Sequence, residues 1–238
     1  MALSRLQLLV GKDGLRKLAE ARVLLLGVGG VGSWAAEMLV RSGVGHLTIV
    51  DFDVVSVSNL NRQLLALHST LGRPKVDVMS ERLKDISPEL DLNAPNIHLT
   101  AESIVDLLAS QSWDYVVDAI DERQPKLAAL VYCVKHGVPV VSSMGAANKL
   151  SSEGVTIVDI SETSGCHLAR LIRKSLHKQG IETGIPVVFS PALPVDLAEE
   201  SIAETPGERR PLGTIGYLPA IFGCKCAEKV ITDLLATN

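Results

Sequence analysis

Leu24-Leu25-Leu26-Gly27-Val28-Gly29-Gly30-Val31-Gly32-Ser33-Trp34 decides how the rest of the chain is read. An apolar run suited to a buried strand meets four glycines within six positions, and a helical pattern follows at once. Strand, glycine loop and helix in that order form a unit that grips phosphate. The glycines let the backbone turn sharply and approach a ligand closely, while the helix start offers unpaired N–H groups and the positive end of its dipole. A nucleotide site built on Gly27, Gly29, Gly30 and Gly32 is therefore expected.

On either side of that stretch the pattern alternates. Strands are expected at 23–28, 46–50, 96–99, 115–120 and 138–142, and helices at 31–41, 74–86, 102–109 and 125–136. Pro74 suits a first helical turn and Gly137 a helix end. Strand and helix alternating at this rhythm imply an α/β, Rossmann-like doubly wound, mainly parallel sheet with right-handed crossovers. Ahead of it, 3–18 reads as helical turns broken at Gly11-Lys12-Asp13-Gly14. Beyond Gly145 the pattern loosens into an added strand and helix region. Strands are expected at 155–160 and 187–189, helices at 168–176 and 218–235, and a mobile polar loop near 194–213. The organisation expected is a single domain over 1–238, with a nucleotide-binding core at 1–150 and a substrate-side and dimer region at 151–238.

Composition narrows the setting. A net charge of −4 carries no overall basic footprint. No apolar run reaches the roughly 18 residues a membrane helix needs, and the first ten residues lack a signal peptide's cleavage site. Cys133, Cys166, Cys224 and Cys226 form no paired C-x-x-C clusters, so neither a disulfide framework nor a zinc knuckle is indicated. The histidines show no metal-ligand spacing. A cytoplasmic, reduced protein is expected.

Which nucleotide is the sharper question. Gly27-x-Gly29-x-x-Gly32 with Asp51 about twenty residues on is the dinucleotide pattern, and alone it favours NAD, with Asp51 on the ribose hydroxyls. Ser58-Asn59-Leu60-Asn61-Arg62-Gln63 and Gly72-Arg73-Pro74-Lys75 shift that reading. The nicotinamide half of a dinucleotide has no need of Arg62 and Lys75. A triphosphate does, because charge develops between the α-phosphate and departing pyrophosphate. Asp121, just past a strand's carboxyl end, is a candidate Mg²⁺ ligand. Asp118, three residues earlier, can face the other way and hold the adjacent loop. No G-x-x-x-x-G-K-[ST] is present, so this is not a P-loop nucleotidase.

Taken together, Gly27-Val28-Gly29-Gly30-Val31-Gly32, Asp51-Phe52-Asp53, Ser58 to Gln63, Gly72 to Lys75 and Asp118-Ala119-Ile120-Asp121 resemble the ThiF/MoeB/HesA superfamily of adenylating enzymes related to ubiquitin-activating enzymes. The resemblance implies ATP-dependent adenylation of a carboxylate. It places Gly30 against the nucleotide, Asp51 on the ribose, Asn59, Arg62 and Lys75 on the phosphates with Gln63 beside them, and Asp121 on Mg²⁺. It also matches Arg5 to an arginine sent into a partner subunit's active site, which implies a homodimer.

Within that superfamily, Ser142 to Lys149, Asp159-Ile160-Ser161-Glu162-Thr163 and Val187-Val188-Phe189-Ser190 are similar to the branch that dehydrates threonylcarbamoyladenosine in tRNA. That branch implies tRNA carrying threonylcarbamoyladenosine as substrate and admits a sulfur-relay protein as partner. Gly165-Cys166-His167-Leu168-Ala169 departs from the branch's Asp-Pro-Leu-Ala, and Glu122 stands where carrier adenylators have Asn. The alternative is an adenylyltransferase for the C-terminal carboxylate of a ubiquitin-like sulfur carrier, against which the missing C-x-x-C pairs argue. An NAD-binding oxidoreductase and a non-catalytic dimeric scaffold are the remaining rivals. Cys166 is the one cysteine singled out for thioester chemistry. Arg170, Arg173, Lys174 and Lys178 share parts of a helical face, and with Arg209 and Arg210 they are the candidate tRNA contacts.

Overall fold

The structure, a computed structural model, describes residues 3–195 and 212–236. Helix α1 (Ser4–Glu20) bends at Gly11, whose φ of 71° is left-handed, where the glycine pair was expected to break it. There follow β1 (Arg22–Leu26), α2 (Gly32–Arg41), β2 (His46–Val50), α3 (Lys75–Ile86), β3 (Asp91–Asn93), α4 (Ala101–Ala109), β4 (Tyr115–Asp118), α5 (Arg123–His136) and β5 (Val140–Ser143). The second part adds β6 (Thr156–Asp159), α6 (His167–His177), β7 (Pro186–Phe189) and α7 (Tyr217–Ala236).

The seven strands lie in the order β3-β2-β1-β4-β5-β7-β6. All neighbours are parallel except β6, which runs antiparallel to β7 at the edge. The chain leaves β1 toward β2 and β3, then crosses back to β4 on the other flank. The sheet therefore reverses direction between β1 and β4, and the crevice at their carboxyl ends is where such sheets receive ligands.

The run that opened the reading is buried on both faces. Val23 and Leu25 enter one core with residues of α2, α3 and α7. Leu24 and Leu26 enter the other with residues of α4, α5 and α6. Each fully buried leucine contributes about 1.5–3 kcal/mol, so β1 anchors both layers. Helix α7 returns to cross α2 at Gly223, where a Cβ would lie 2.4 Å from the Val31 carbonyl oxygen. That close approach brings Pro219 of α7 down onto the glycine loop.

One expected strand is displaced. The third strand is Asp91–Asn93, not 96–99. Its register pairs His46 with Asp91 and Leu47 with Leu92, and a 2.8 Å contact joins His46 Nδ1 to the Asp91 carboxylate. Residues 94–100 are irregular, and Leu99 packs into the second core. Of the loop expected to be mobile near 194–213, 196–211 lie outside the described residues, as do Arg209 and Arg210.

Candidate active site

The glycine loop leaves β1 between its two neighbours. Gly27 N–H donates to the Val50 carbonyl at 2.8 Å, and Ala119 N–H donates to the Leu26 carbonyl at 2.9 Å. Gly27 has φ +89°, which admits no ordinary side chain, and a Cβ on Gly32 would sit 1.9 Å from the Gly27 oxygen. No side chain caps α2; Ser33 N–H is taken by the Gly29 carbonyl at 3.1 Å, and the positive end of the dipole faces the loop. The empty side-chain position of Gly30 faces Pro219 at 3.1 Å and Arg62 Cγ at 3.5 Å. Ser33 Oγ donates to the Gly29 carbonyl at 2.7 Å and accepts from Leu64 N–H at 3.3 Å, binding the loop to the turn that carries Arg62.

Along the rim, Asp51 ends β2 with its carboxylate buried. Its Oδ2 accepts from Val28 N–H at 2.7 Å and its Oδ1 from Asp53 N–H at 2.9 Å. Each oxygen keeps a second lone pair for a ribose hydroxyl. Lys75 opens α3; its N–H donates to the Asp53 carbonyl at 2.9 Å and its Nζ to Asp53 Oδ2 at 2.6 Å. The lysine side chain is 5% exposed and the aspartate side chain 48%. Arg62 is half-buried, and its Nη1 donates to the Ser58 carbonyl at 2.7 Å and to Asn61 Oδ1 at 3.1 Å. Buried Asn59 accepts from Ser56 N–H through Oδ1 at 3.1 Å, which leaves its amide N–H₂ for a ligand. Gln63 is buried too, with Nε2 3.8 Å from the empty position of Gly29 and Oε1 lacking a hydrogen-bond partner among the described residues.

A second polar group lies beneath the rim. Asp118 Oδ2 meets Lys126 Nζ at 2.6 Å, and both side chains are fully buried. Asp118 Oδ1 accepts from Ile120 N–H at 3.1 Å, so this residue does hold the adjacent loop. Asp121 is exposed and has no hydrogen bond or ion pair among the described residues. Nearby, Phe52 and His98 meet edge to face at 4.3 Å, and His98 Nε2 lies 3.9 Å from Glu122. Lys126, Pro219 and His98 carry no sequence motif that marks them as neighbours of the site. Lys126 sits in a helix start eight residues past Asp118, a spacing with no motif attached.

Other candidates separate from this group. Cys166 is buried and caps α6, its Sγ accepting from Ala169 N–H at 3.5 Å. Cys133 and Cys226 are core residues whose thiols burial pushes up to about 12, so neither supplies a thiolate. Arg173 does not belong to a free basic face. Its Nη1 donates to the Thr163 carbonyl at 2.9 Å, to the Ile160 carbonyl at 3.3 Å and to Thr163 Oγ1. Arg170, Lys174 and Lys178 remain exposed, and none has a carboxylate partner among the described residues. Arg5 is exposed on α1. No cluster of three metal-ligating side chains occurs among the described residues.

Comparison with known proteins follows the same outline. The model of the family described as "ThiF family" matches residues 3–238. The tRNA threonylcarbamoyladenosine dehydratase of Bacillus subtilis is 40% identical over 98% of this chain and 94% of its own. The crystal structure of the E. coli tRNA N6-threonylcarbamoyladenosine dehydratase in complex with ATP superposes with a TM-score of 0.87 at 31% identity, covering 99% of this chain and 94% of that one. The molybdopterin-synthase adenylyltransferase of Salmonella typhimurium is 37% identical, over 67% of this chain and 63% of its own.

Proposed function

The chain belongs to the ThiF family, and from that premise we propose that it is an ATP-dependent dehydratase of threonylcarbamoyladenosine in tRNA. The observation that carries this reading is extent. The dehydratase relative matches 98% of the chain, including β6, α6 and β7, whereas the carrier adenylyltransferase matches 67%. The rim supports ATP over NAD, since Lys75 and Arg62 flank the glycine loop where a triphosphate would lie.

In this reading Asp51 accepts the ribose hydroxyls and Gly27, Gly29, Gly30 and Gly32 give the nucleotide a backbone cradle. Asn59, Gln63, Arg62 and Lys75 bind phosphate oxygens and offset the charge that develops at the α-phosphate. An exposed, unpartnered carboxylate with no further acidic cluster suits a metal held mostly by phosphate and water, so Asp121 is assigned to Mg²⁺. When bound, Mg²⁺ neutralises triphosphate charge. The threonyl carboxylate attacks the α-phosphorus, an oxygen–phosphorus bond forms and pyrophosphate leaves. The urea nitrogen of the same substrate then attacks the acyl carbon, losing its proton as AMP departs with the former carboxylate oxygen. Tethering supplies much of this second step, up to about 7–11 kcal/mol in the best cases, and no enzyme nucleophile is needed. That agrees with the buried, capping role of Cys166.

The working form proposed is a cytoplasmic homodimer in which Arg5 of each copy reaches the other's site. No helix among the described residues is long and apolar enough to cross a membrane. Residues 1–150 would form the nucleotide core and 151–238 the substrate side. His167, Arg170, Lys174 and Lys178 line the exposed face of α6, whose start packs near Gly145 just beyond β5. That face is assigned to tRNA phosphates. Arg170→Glu with Lys174→Glu is expected to weaken tRNA binding and reduce the slope of log affinity against log salt by roughly two units. An unchanged slope would remove α6 from the RNA contact.

The direct test is incubation with ATP, Mg²⁺ and threonylcarbamoylated tRNA, followed by mass spectrometry of the nucleosides. Loss of one water with formation of AMP is expected. Pyrophosphate exchange stimulated by a carrier protein ending in glycine, and not by the tRNA, would select the adenylyltransferase instead.

A further inference from the structure

The deepest charged pair among the described residues has no part in the reaction just described. Lys126 Nζ donates to Asp118 Oδ2 at 2.6 Å, to Ser142 Oγ at 3.1 Å and to the Ser143 carbonyl at 2.9 Å. Its three donors are thereby used. Ser142 Oγ donates to the same Asp118 oxygen at 2.6 Å, which closes the network between the ends of β4, β5 and the first turn of α5. A pair this deep is poor evidence for stability alone, because apolar residues of similar volume often serve as well. Its location gives it another meaning.

Only Ala119 and Ile120 separate Asp118 from Asp121. Ile120 N–H donates to Asp118 Oδ1 at 3.1 Å, and Ala119 N–H donates to Leu26 at the end of β1 at 2.9 Å. The Ala119 carbonyl oxygen lies 2.9 Å from where a Gly27 Cβ would be. The turn is thus clamped between the buried network and the glycine loop, and Asp121 is carried at its tip. We propose that Lys126, acting through Asp118 and Ser142, is a positioning residue that fixes this turn, and with it Asp121, against the glycine loop. The proposal rests on the assignment of Asp121 to the triphosphate end of the site. Without its ammonium partner, Asp118 would be a buried carboxylate with no opposite charge, drawn toward water, and its hold on Ile120 would slacken. A misplacement near 1 Å in a reacting group costs about 100-fold in rate.

The test separates support from positioning. Asp118→Asn combined with Lys126→Met removes both charges, so no unpaired charge is left buried. It is compared with the unaltered chain and with Asp121→Asn by three readouts. These are the thermal midpoint, deuterium exchange at amides 119–122, and the Mg²⁺ concentration giving half-maximal ATP–pyrophosphate exchange in the presence of threonylcarbamoylated tRNA. The double variant is expected to keep its midpoint within a few degrees, to exchange Ile120 N–H faster, and to need about ten times more Mg²⁺. Native protection and a native Mg²⁺ curve in that variant would overturn the proposal. Asp121→Asn is expected to shift the Mg²⁺ curve with Ile120 protection intact. If it leaves the curve unmoved while the double variant loosens the turn, the clamp stands and the metal assignment fails. Should the double variant not fold, Ser142→Ala keeps the charge pair and removes two bonds, one to Lys126 and one to Asp118. It is expected to speed exchange at Ile120 severalfold, and unchanged exchange there would overturn the proposal.

Discussion

The rim and the base of the site each hold a buried lysine paired to an aspartate at 2.6 Å, and the two pairs differ in how far that aspartate is exposed. At the rim, Asp53 is half-exposed, so water can take over its carboxylate if Lys75 turns to a phosphate. At the base, Asp118 and Lys126 are both sealed from solvent, and neither can lose the other without a charge stranded in a medium of low dielectric. Of the two pairs, only the rim pair has a partner that water could solvate if the lysine were drawn to a phosphate. Surroundings, not length, decide which lysine is available to a ligand.

The comparison breaks most visibly at the base. Lys126→Met, which leaves Asp118 buried and unpaired, should cost about 3–5 kcal/mol of stability in urea unfolding. A loss below about 1 kcal/mol would mean that the base resembles the rim. Lys75→Met should do the reverse. Its adenylation rate should fall about 10²–10³-fold, the scale of one lost transition-state charge contact, while stability changes by under about 1 kcal/mol. A large stability loss with native adenylation would invert the two assignments.

A third pairing, remote from the chemistry, sharpens the contrast. Buried Glu37 of α2 accepts from Arg82 Nε and pairs with Arg41, joining α2 to α3. Burial pushes its carboxyl up, but the hydrogen bonds and charges of Arg82 and Arg41 outweigh that and hold it below its ordinary value of 4.5. A carboxyl lowered on folding contributes stability above its unfolded pKa and loses it as pH falls through the folded value. Glu37→Gln should therefore destabilise by about 1–3 kcal/mol at pH 7. The gap from the unaltered chain should narrow as pH drops below about 4.5. Adenylation at pH 7 should be unaffected, and a pH-independent gap would contradict the ion-pair account.

How much of this was legible differs by region too. The glycine loop, Asp51, Arg62 and Lys75 stood out because each lies in a local run whose spacing follows one turn or one strand. In the structure Asp51 holds Val28 N–H of the glycine loop, Arg62 lies against Gly30, and Lys75 pairs with Asp53. The base did not stand out. Asp118 was read as a loop holder, but its partner Lys126 is set by the packing of α5 against β4 and β5, which no spacing encodes. Arg173 looked like one more cation on α6, and only the fold reveals that the segment at Ile160 and Thr163 consumes its guanidinium. The third strand was misplaced as well: the strand expected at 96–99 lies instead at Asp91–Asn93, where Asp91 pairs with His46 across to β2.

The central claim is that a substrate carboxylate is activated by transfer of the adenylyl group. Threonylcarbamoylated tRNA carrying oxygen-18 in the threonyl carboxylate, incubated with the chain, ATP and Mg²⁺, tests it most directly. The account predicts that the cyclised nucleoside loses one labelled oxygen and that this oxygen appears in the phosphate of AMP. Label in inorganic phosphate with ADP as the nucleotide product would contradict it, because the carboxylate would then have attacked the γ-phosphorus.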